Sequence, residues 1–545
     1  MRKRASVGLA VLIILASVVP AAAVGERPAA VGDDGEITPQ RADPSEDVIG
    51  WEGGYWHNES IDVDQSDGLT DEEVDAYVSR AMARVEYIRE KEFESDVPVE
   101  ILSRDEFEQR QSGNTSSNAS FDAWNDQVWE ALFIIGEDRE ANEALQSASG
   151  QTTAGFYAPA DDRIRIITDS PDNPTIDNAT LVHELVHALQ DQNGALGERI
   201  ADTETQDADL AVDGVVEGEA NYIQQRYTER CGDEWECVGT PSDDSSADEP
   251  PNLGILLTLL QPYSDGPVYV DQRLEEEGWS AIDAEFEEPP QSTEQVIHQT
   301  DEEPTPIEYE DRARNGWETF PNQGENGSDT VGEASMYVMF WYQARTARAD
   351  TIPVRSVTRT SGSFDIYNYD AEPSAGWGND RVFPYQKGSG DDAQHGYVWT
   401  TEWDSEEDAD EFVEAYRAIL DAQGATQQNG LYVIPDGEFE DAFRIDRDGT
   451  RVTIVNGPTP EAVSDIRPPT DGSSAADELD GDGADGADST DGTDSTDDGE
   501  GDDSGTGSDD GGDGGSTGLE APGFGALTAV IALVAAALVA LRRRD

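Results

Sequence analysis

Apolar residues recur at helical spacing in several segments of the chain. Thr70 and Glu73 form a Thr-x-x-Glu capping box, and the apolar positions 74, 77, 78, 81, 85 and 88 then fall on one helical face. The same spacing predicts helices over about 180–192, 208–226, 334–345 and 405–420.

Strand signals are shorter and lie between these helices. Phe156 and Tyr157, followed by the partly alternating run from Arg163 to Thr168, predict a hairpin or an edge strand. Further strands are predicted over 430–434 and 451–455. Helices and strands are mixed without regular alternation, so the predicted class is α+β. We expect a body over 24–468, with a core at about 151–350 and a small α/β part at about 395–460.

The first residues have the pattern of a secretory signal. Arg2, Lys3 and Arg4 precede an apolar run over 5–20, and Ala21 to Ala23 supply a small-residue cleavage site. This pattern predicts a signal peptide over 1–23. A membrane anchor is the alternative, although the run is short for a membrane span.

The last residues predict a stalk and an anchor. Residues 469–520 are mostly Asp, Gly, Ser and Thr, a composition that cannot bury enough apolar area to fold. The segment 521–545 follows, with an apolar run to Leu541 that approaches the roughly 20 residues of a membrane span. Three arginines at 542–544 then predict a cytoplasmic end.

The charge balance is strongly acidic. The chain has 118 Asp and Glu against 34 Lys and Arg, a net charge of −84. This charge repels nucleic acid, so we predict no nucleic-acid partner. Acidic residues are dense throughout the body as well as in the stalk, as in proteins of salt-loving archaea. The two cysteines, Cys231 and Cys237, predict a local disulfide in an exported protein.

The segment from Thr180 to Leu189 carries an HExxH motif. In a helix, His183 and His187 lie one turn apart on the same face, where both imidazoles can bind one zinc ion. Glu184 lies beside them and can accept a proton from an activated water molecule. Catalytic zinc needs three protein ligands and an open position. The alternative is a surface helix with two solvated histidines.

The run from Asp213 to Tyr222 resembles the glutamate helix of gluzincin peptidases, in which the ligand opens an E-G-x-A sequence. The resemblance implies Glu217 as the third zinc ligand, with Glu219 as the alternative. Asn221, one turn after Glu217, is a candidate for a hydrogen bond behind the ligands.

Zincins also need a donor for the developing oxyanion. His298 is our first candidate because the chain has only 5 histidines and this one follows a Ser-Thr-Glu-Gln-Val-Ile run. A structural role is the alternative for His298. Tyr222 and Tyr227 are weaker candidates for the donor.

Several motifs together resemble a family of haloarchaeal surface proteins of unassigned activity. They are GFY, HELVHALQDQ, VEGEA, STEQVIH, GWGNDR and the stretch from Trp399. Relatives often have Pro after the histidine of STEQVIH, whereas Gln299 stands here. For Gly376 to Arg381 we predict a turn braced by an Asp–Arg pair.

The tail from Pro522 resembles the PGF-type sorting signal of these surface proteins, which implies that an archaeosortase removes the apolar helix and a lipid replaces it. The resulting expectation is an exported zinc metallopeptidase of gluzincin type with a zincin-like core, anchored at the cell surface, with a peptide or protein substrate. The alternative is a non-catalytic envelope glycoprotein that keeps a zincin fold.

Overall fold

The computed structural model describes residues 43–112, 118–150, 154–196, 203–239, 251–360 and 362–469. The predicted signal peptide, nearly all of the stalk and the predicted anchor lie outside these residues. The described chain mixes helices and strands, which confirms the α+β class. Within these ranges, no helix combines the length and apolar character needed to cross a membrane.

The helices of the described residues are, in chain order, α1 (Asp71–Arg89), α2 (Arg104–Ser112), α3 (Ala119–Ala131), α4 (Ala141–Gly150), α5 (Asn178–Gln192), α6 (Gln206–Arg230), α7 (Leu253–Glu277), α8 (Trp279–Glu287), α9 (Thr293–His298), α10 (Gly332–Thr346), α11 (Glu406–Ala422) and α12 (Pro460–Ile466). The strands are β1 (Trp51–Glu52), β2 (Tyr55–Trp56), β3 (Val99–Ser103), β4 (Gly155–Ala158), β5 (Arg163–Thr168), β6 (Trp317–Thr319), β7 (Trp377–Lys387), β8 (Gln394–Trp403), β9 (Thr426–Gln428), β10 (Leu431–Val433), β11 (Ala442–Asp448) and β12 (Arg451–Gly457).

Two features predicted from local sequence are present in the structure. The capping box of α1 is confirmed, because the Thr70 side chain accepts from the Glu73 amide and Glu73 bonds back to Thr70. The disulfide between Cys231 and Cys237, just after α6, is also present. These features depend on residues that are close in sequence.

A three-stranded sheet precedes the HExxH helix, in the order β3-β5-β4. Strand β5 is central, parallel to β3 and antiparallel to β4. The predicted hairpin is confirmed, because the consecutive strands β4 and β5 pair antiparallel. The alternative, an edge strand at Arg163–Thr168, is wrong, because β3 and β4 are the edges of this sheet. The second neighbour, β3, comes from a distant part of the chain, so the local pattern could not reveal it.

The edge strand β4 has main-chain groups that point away from the sheet, although its four residues are buried. Ile167 donates its amide to the Ala154 carbonyl at 2.9 Å, and Ile164 donates to Pro98 at 3.0 Å on the other side of β5. Hydrogen-bonded and non-bonded pairs alternate in an antiparallel ladder. The amide and carbonyl of Tyr157, opposite Ile164, therefore point away from β5.

The C-terminal part is a seven-stranded antiparallel sheet within the described residues, in the order β6-β7-β8-β12-β11-β10-β9. Helices α10 and α11 bury one face, where Trp399, Phe412 and Tyr416 contact one another. Helix α12 buries part of the other face. The sheet includes β6 and β7 and so begins well before the predicted boundary near 395. Strand β7 contains Gly, Asn, Asp and Pro, which locally resemble a turn.

The predicted Asp–Arg brace in Gly376 to Arg381 is wrong. Asp380 is fully buried and accepts hydrogen bonds from the Gly332 amide at 2.9 Å and the Trp399 indole at 3.0 Å. Arg381 instead pairs with Glu325 at 3.1 Å. Adjacent residues of a strand point to opposite faces, so the two side chains find separate partners.

Helices α6 and α7 cross at main-chain contact. A Cβ atom added to Gly218 would lie 2.6 Å from the carbonyl carbon of Gly266. A Cβ atom on Gly266 would lie 2.4 Å from the carbonyl oxygen of Gly214. Only glycine permits this approach, and it brings α7 against the helix that carries Glu217.

Candidate metal centre

Helix α5 presents the two histidines of the HExxH motif toward α6. The Asp177 side chain caps this helix by accepting from the Thr180 amide at 2.8 Å. His183 and His187 are fully buried, and their ring centroids lie 4.8 Å apart. The apolar neighbours of the motif, Leu181, Val182, Leu185 and Val186, are buried in the same core.

Helix α6 adds a carboxylate to this pair. Oε2 of Glu217 lies 3.0 Å from Nε2 of His183 and 3.4 Å from Nε2 of His187. The potential ligand atoms of these three residues all lie within 4.8 Å of one another. Glu219 points elsewhere, forming a buried ion pair with Arg89. Glu217, rather than Glu219, therefore lies beside the imidazoles.

The hydrogen bonds of Gln190 determine which nitrogen of His187 carries the proton. The Gln190 amide nitrogen donates to the Val216 carbonyl at 3.0 Å and to Glu219 at 2.8 Å. Its oxygen must therefore accept from His187 Nδ1, at 2.8 Å. The Nε2 atom of His187 is left with a lone pair and, among the described residues, no hydrogen-bond partner. The amide oxygen of Gln224 lies 3.2 Å from Nδ1 of His183 and can accept a hydrogen bond from it in the same way.

The three converging groups fit a divalent metal ion. Burial lowers the pKa of His183, which favours the neutral imidazole. Burial acts to raise the pKa of Glu217, but the attraction of the neighbouring His187 and His183 outweighs it and brings this pKa to about 2. Two imidazole lone pairs and a carboxylate are all acceptors, which repel one another unless a proton or a cation lies between them. Two His and one Glu are also a ligand set of catalytic zinc sites.

Glu184 is a buried carboxyl group beside this centre. It is fully buried, and neither of its oxygens has a hydrogen-bond partner in the part of the chain that the structure describes. Burial raises its pKa well above the usual value, and the negative charge of Glu217 adds to the rise. The main chain of Tyr157, on the edge strand β4, acts in the opposite direction. A carboxyl group with a raised pKa suits a general base.

Tyr263 of α7 is a residue of this centre that the sequence patterns did not reveal. Its buried ring stacks on His183, with centroids 6.3 Å apart and planes inclined by 18°. Burial raises the pKa of Tyr263 well above its usual value, and the charge of Glu217 and a hydrogen bond between the two side chains add to the rise. The phenol therefore lies behind the third candidate ligand.

Asn221 helps to hold Tyr263. Pro267 has no amide hydrogen, so the Tyr263 carbonyl four residues earlier loses its helical donor. The Asn221 amide replaces that donor at 3.2 Å. The predicted hydrogen bond of Asn221 thus goes to the backbone of α7. Two prolines around Tyr263 make this segment resemble a helix break. The glycines Gly214 and Gly218, one turn apart on α6, were the available signal of a close neighbour.

The remaining candidates lie outside the group of His183, His187 and Glu217. His298 Nε2 lies 3.0 Å from both carboxylate oxygens of Glu333, and this hydrogen bond raises the pKa of His298 to about 9. Its role as an oxyanion donor stays a prediction. Tyr222 stacks on Phe364, and Tyr227 accepts from Arg84 at 2.9 Å.

Comparison with known proteins finds one family. Residues 318–467 match a domain of unknown function, DUF8575. No curated protein and no solved structure shows significant similarity to the chain. The matched segment covers the seven-stranded sheet with α10, α11 and α12, and it excludes α5 and α6, which carry the candidate metal ligands.

Proposed function

We propose that this protein is a zinc-dependent metallopeptidase of gluzincin type that hydrolyses peptide bonds at the cell surface. The observation that carries the proposal is the convergence of His183, His187 and Glu217, with ligand atoms within 4.8 Å of one another, beside the unpartnered carboxyl of Glu184. An antiparallel edge strand, an HExxH helix and a glutamate helix are together the parts of a zincin-like core.

Each residue of the centre has a separate role in this proposal. His183, His187 and Glu217 would hold zinc, which when bound polarises the scissile carbonyl and lowers the pKa of water. Glu184 accepts the proton of the attacking water and returns it to the leaving amine. Gln190 and Gln224 hold the imidazoles in the tautomer that leaves Nε2 free, and Tyr263 supports Glu217.

The substrate would bind along the outer edge of β4, whose four residues are buried in this structure, so the chain that covers them would have to move aside. The amide and carbonyl of Tyr157 point outward from this strand, and the main chain of the same residue approaches Glu184. An extended peptide that pairs with this edge would therefore run past the proposed general base. Binding of this kind uses main-chain groups and is compatible with many substrate sequences.

A non-catalytic envelope glycoprotein remains the second candidate. It is favoured by the burial of the centre, because His183, Glu184 and His187 all have 0% of their surface exposed. Glu184 argues against this candidate. Burying a carboxyl group without partners costs free energy, and a purely structural centre gains nothing from it. We therefore place the peptidase first.

The decisive experiment uses the full chain purified in molar NaCl with zinc supplied. Wild type should contain one zinc per chain by mass spectrometry and cleave members of a peptide library. Glu184→Gln should keep the zinc and lose activity by about 10²–10⁴-fold, because an amide cannot accept the proton. His183→Ala should lose both zinc and activity. If zinc-loaded wild type hydrolyses no peptide and behaves like Glu184→Gln, the peptidase is rejected and the non-catalytic glycoprotein remains.

Export and anchoring are part of the proposal and rest on the sequence of the two ends. Mass spectrometry of the protein recovered from cell envelopes should show a mature chain that begins after Ala23. Its C-terminus should either retain the apolar segment after Pro522 or end before it with a lipid attached by an archaeosortase. A chain that retains residues 1–23 in the cytoplasm would contradict both expectations.

A further inference from the structure

A second group of acidic side chains is separate from the HExxH motif and combines residues from before and after it in the sequence. Glu130 is near the end of α3, Glu137 follows that helix, and Asp441 immediately precedes β11. Their carboxylate oxygens lie within 4.8 Å of one another. Glu130 and Asp441 are buried, whereas Glu137 is exposed, so one side of the group is open to water.

Two buried amides are directed into this group. The Gln127 amide nitrogen donates to Glu130, and the Asn456 amide nitrogen donates to Asp441 Oδ2 at 2.7 Å. Gln127 is 6% exposed and Asn456 is 0% exposed. Their amide oxygens, Oε1 and Oδ1, are buried and have no hydrogen-bond partner among the described residues. A buried amide oxygen without a partner is unusual and requires an explanation.

Among the described residues, the charged groups that act most strongly on this group are acidic. They are Asp126, Asp138 and Glu440, beside the three members themselves. Burial raises the pKa of Glu130 and of Asp441 well above the usual values. Glu130 and Asp441 are also hydrogen-bonded to each other, which requires a proton on one of them. A cation between the carboxylates would displace that proton.

A half-turn of each amide would turn its unpartnered oxygen into the group. The oxygen and nitrogen of Gln and Asn side chains are nearly identical in shape, so rotation exchanges them without a steric change. Rotation of Gln127 and Asn456 would direct two neutral oxygens at the centre of the group. The unpartnered oxygens would then have a partner, provided that a cation lies between the three carboxylates.

We propose that Glu130, Glu137 and Asp441, with the amide oxygens of Gln127 and Asn456, form a calcium site. The five residues supply only oxygen, which excludes the softer ligands that zinc prefers and suits a hard cation. Calcium takes about 6–8 oxygens at flexible angles, and water at the exposed Glu137 completes the set. Magnesium prefers near-octahedral sites that retain several waters, which a site with two buried amides does not offer.

The site joins two parts of the chain. Asp441 and Asn456 belong to the segment that matches DUF8575, and Gln127, Glu130 and Glu137 precede it. The two parts already touch here, because the Glu137 amide donates to the Glu438 carbonyl at 2.9 Å. A Cβ atom on Gly136 would lie 2.5 Å from that same carbonyl oxygen. Calcium would hold α3 against the C-terminal sheet.

The test is calcium titration of the full chain in 2 M NaCl, which screens non-specific binding to the acidic surface. Isothermal titration calorimetry should give one saturable calcium site, and calcium should raise the thermal midpoint of unfolding. Tb³⁺ bound there should be sensitised by Tyr397 and Tyr416, whose pKa values respond to Glu130 and Asp441. Magnesium at the same concentration should give neither response.

Asp441→Asn should abolish the calcium-dependent shift and, without calcium, melt no lower than wild type, because a buried repulsion is removed. Asp126→Asn is the matched control, since Asp126 is a half-buried carboxyl of α3, the helix that carries Glu130, and lies outside the group, so this variant should keep the shift. Glu137→Gln, at the surface, should fold normally and bind calcium more weakly. Zinc content should not change in any of these variants.

Three outcomes would overturn the site: no saturable calcium binding to wild type, an unchanged calcium shift in both Asp441→Asn and Glu137→Gln, or equal binding of magnesium. None of them depends on hydrolytic activity. The result therefore stands or falls separately from the proposed peptidase.

Discussion

Oε2 of Glu217 lies 3.0 Å from Nε2 of His183, although 34 residues separate the two along the chain. The antiparallel contact of α5 and α6 brings them together, and the nearby glycine crossing holds α7 against the same helix. Two residues further along α6, Glu219 pairs with Arg89 on α1. The same helix thus supplies one carboxylate to the candidate metal centre and another to the packing of the core.

The two glutamates should respond differently to the same change. Glu217→Gln should lose zinc, because it removes the charged ligand. Glu219→Gln should keep zinc but lower the free energy of unfolding by on the order of 3 kcal/mol, because Arg89 loses one buried carboxylate and keeps only Asp283. Zinc content and chemical denaturation in molar salt measure the two effects. Zinc loss in Glu219→Gln with zinc retained in Glu217→Gln would reverse the ligand assignment.

Gln190 should affect metal affinity without being a ligand. Gln190→Leu removes the acceptor that holds the His187 proton on Nδ1, so zinc should bind about 10–100-fold more weakly in a chelator competition. Gln192→Leu, on the last turn of the same helix, serves as control because Gln192 bonds to Ser95 and the chain beside it. Equal affinity in both variants would remove Gln190 from the centre.

Tyr263→Phe tests the hydroxyl behind Glu217. The ring would still stack on His183, so the fold should persist, but zinc affinity should fall by about 10–100-fold because Glu217 loses a hydrogen-bond partner. Tyr269→Phe is the matched variant, since Tyr269 is a buried tyrosine of the same helix that donates to Glu285 at 2.8 Å. If both variants bind zinc like wild type, the hydroxyl plays no part.

His298 should make stability depend on pH. The hydrogen bond to Glu333 raises the pKa of His298 from 6.5 to about 9, against the opposing effect of burial, and Asp370 and Glu294 add to the rise. The stabilisation is therefore complete below pH 6.5 and is lost as the pH rises through about 9. The difference in unfolding free energy between wild type and His298→Gln should shrink over this range. An NMR titration of His298 with a midpoint near 6.5 would contradict the prediction.

The net charge of −84 should make folding depend on salt. Charge repulsion extends over roughly 30 Å at 0.01 M salt and only about 3 Å at 1 M. Circular dichroism should therefore show a folded body in molar NaCl and loss of structure as salt is removed. A body that stays folded at about 50 mM salt would show that its packing outweighs the repulsion.

The sequence by itself determined the features that depend on near neighbours. Helical spacing places His183 and His187 on one face, the capping box begins α1, and the short loop between the cysteines permits their disulfide. The α+β class followed from the mixture of periodicities. In each case the interacting residues lie within one or two turns, so chain connectivity already holds them close.

Only the tertiary structure decided the relationships between distant segments. The pairing of β5 with β3, the early start of the C-terminal sheet and the place of Tyr263 each depend on a segment whose local pattern indicates something else. The difference between Glu217 and Glu219 likewise depends on what α6 faces on each side, with imidazoles on one and Arg89 on the other. Spacing along a helix sets the angle between two side chains. The burial of each side chain and the charges around it depend on the elements packed against that helix.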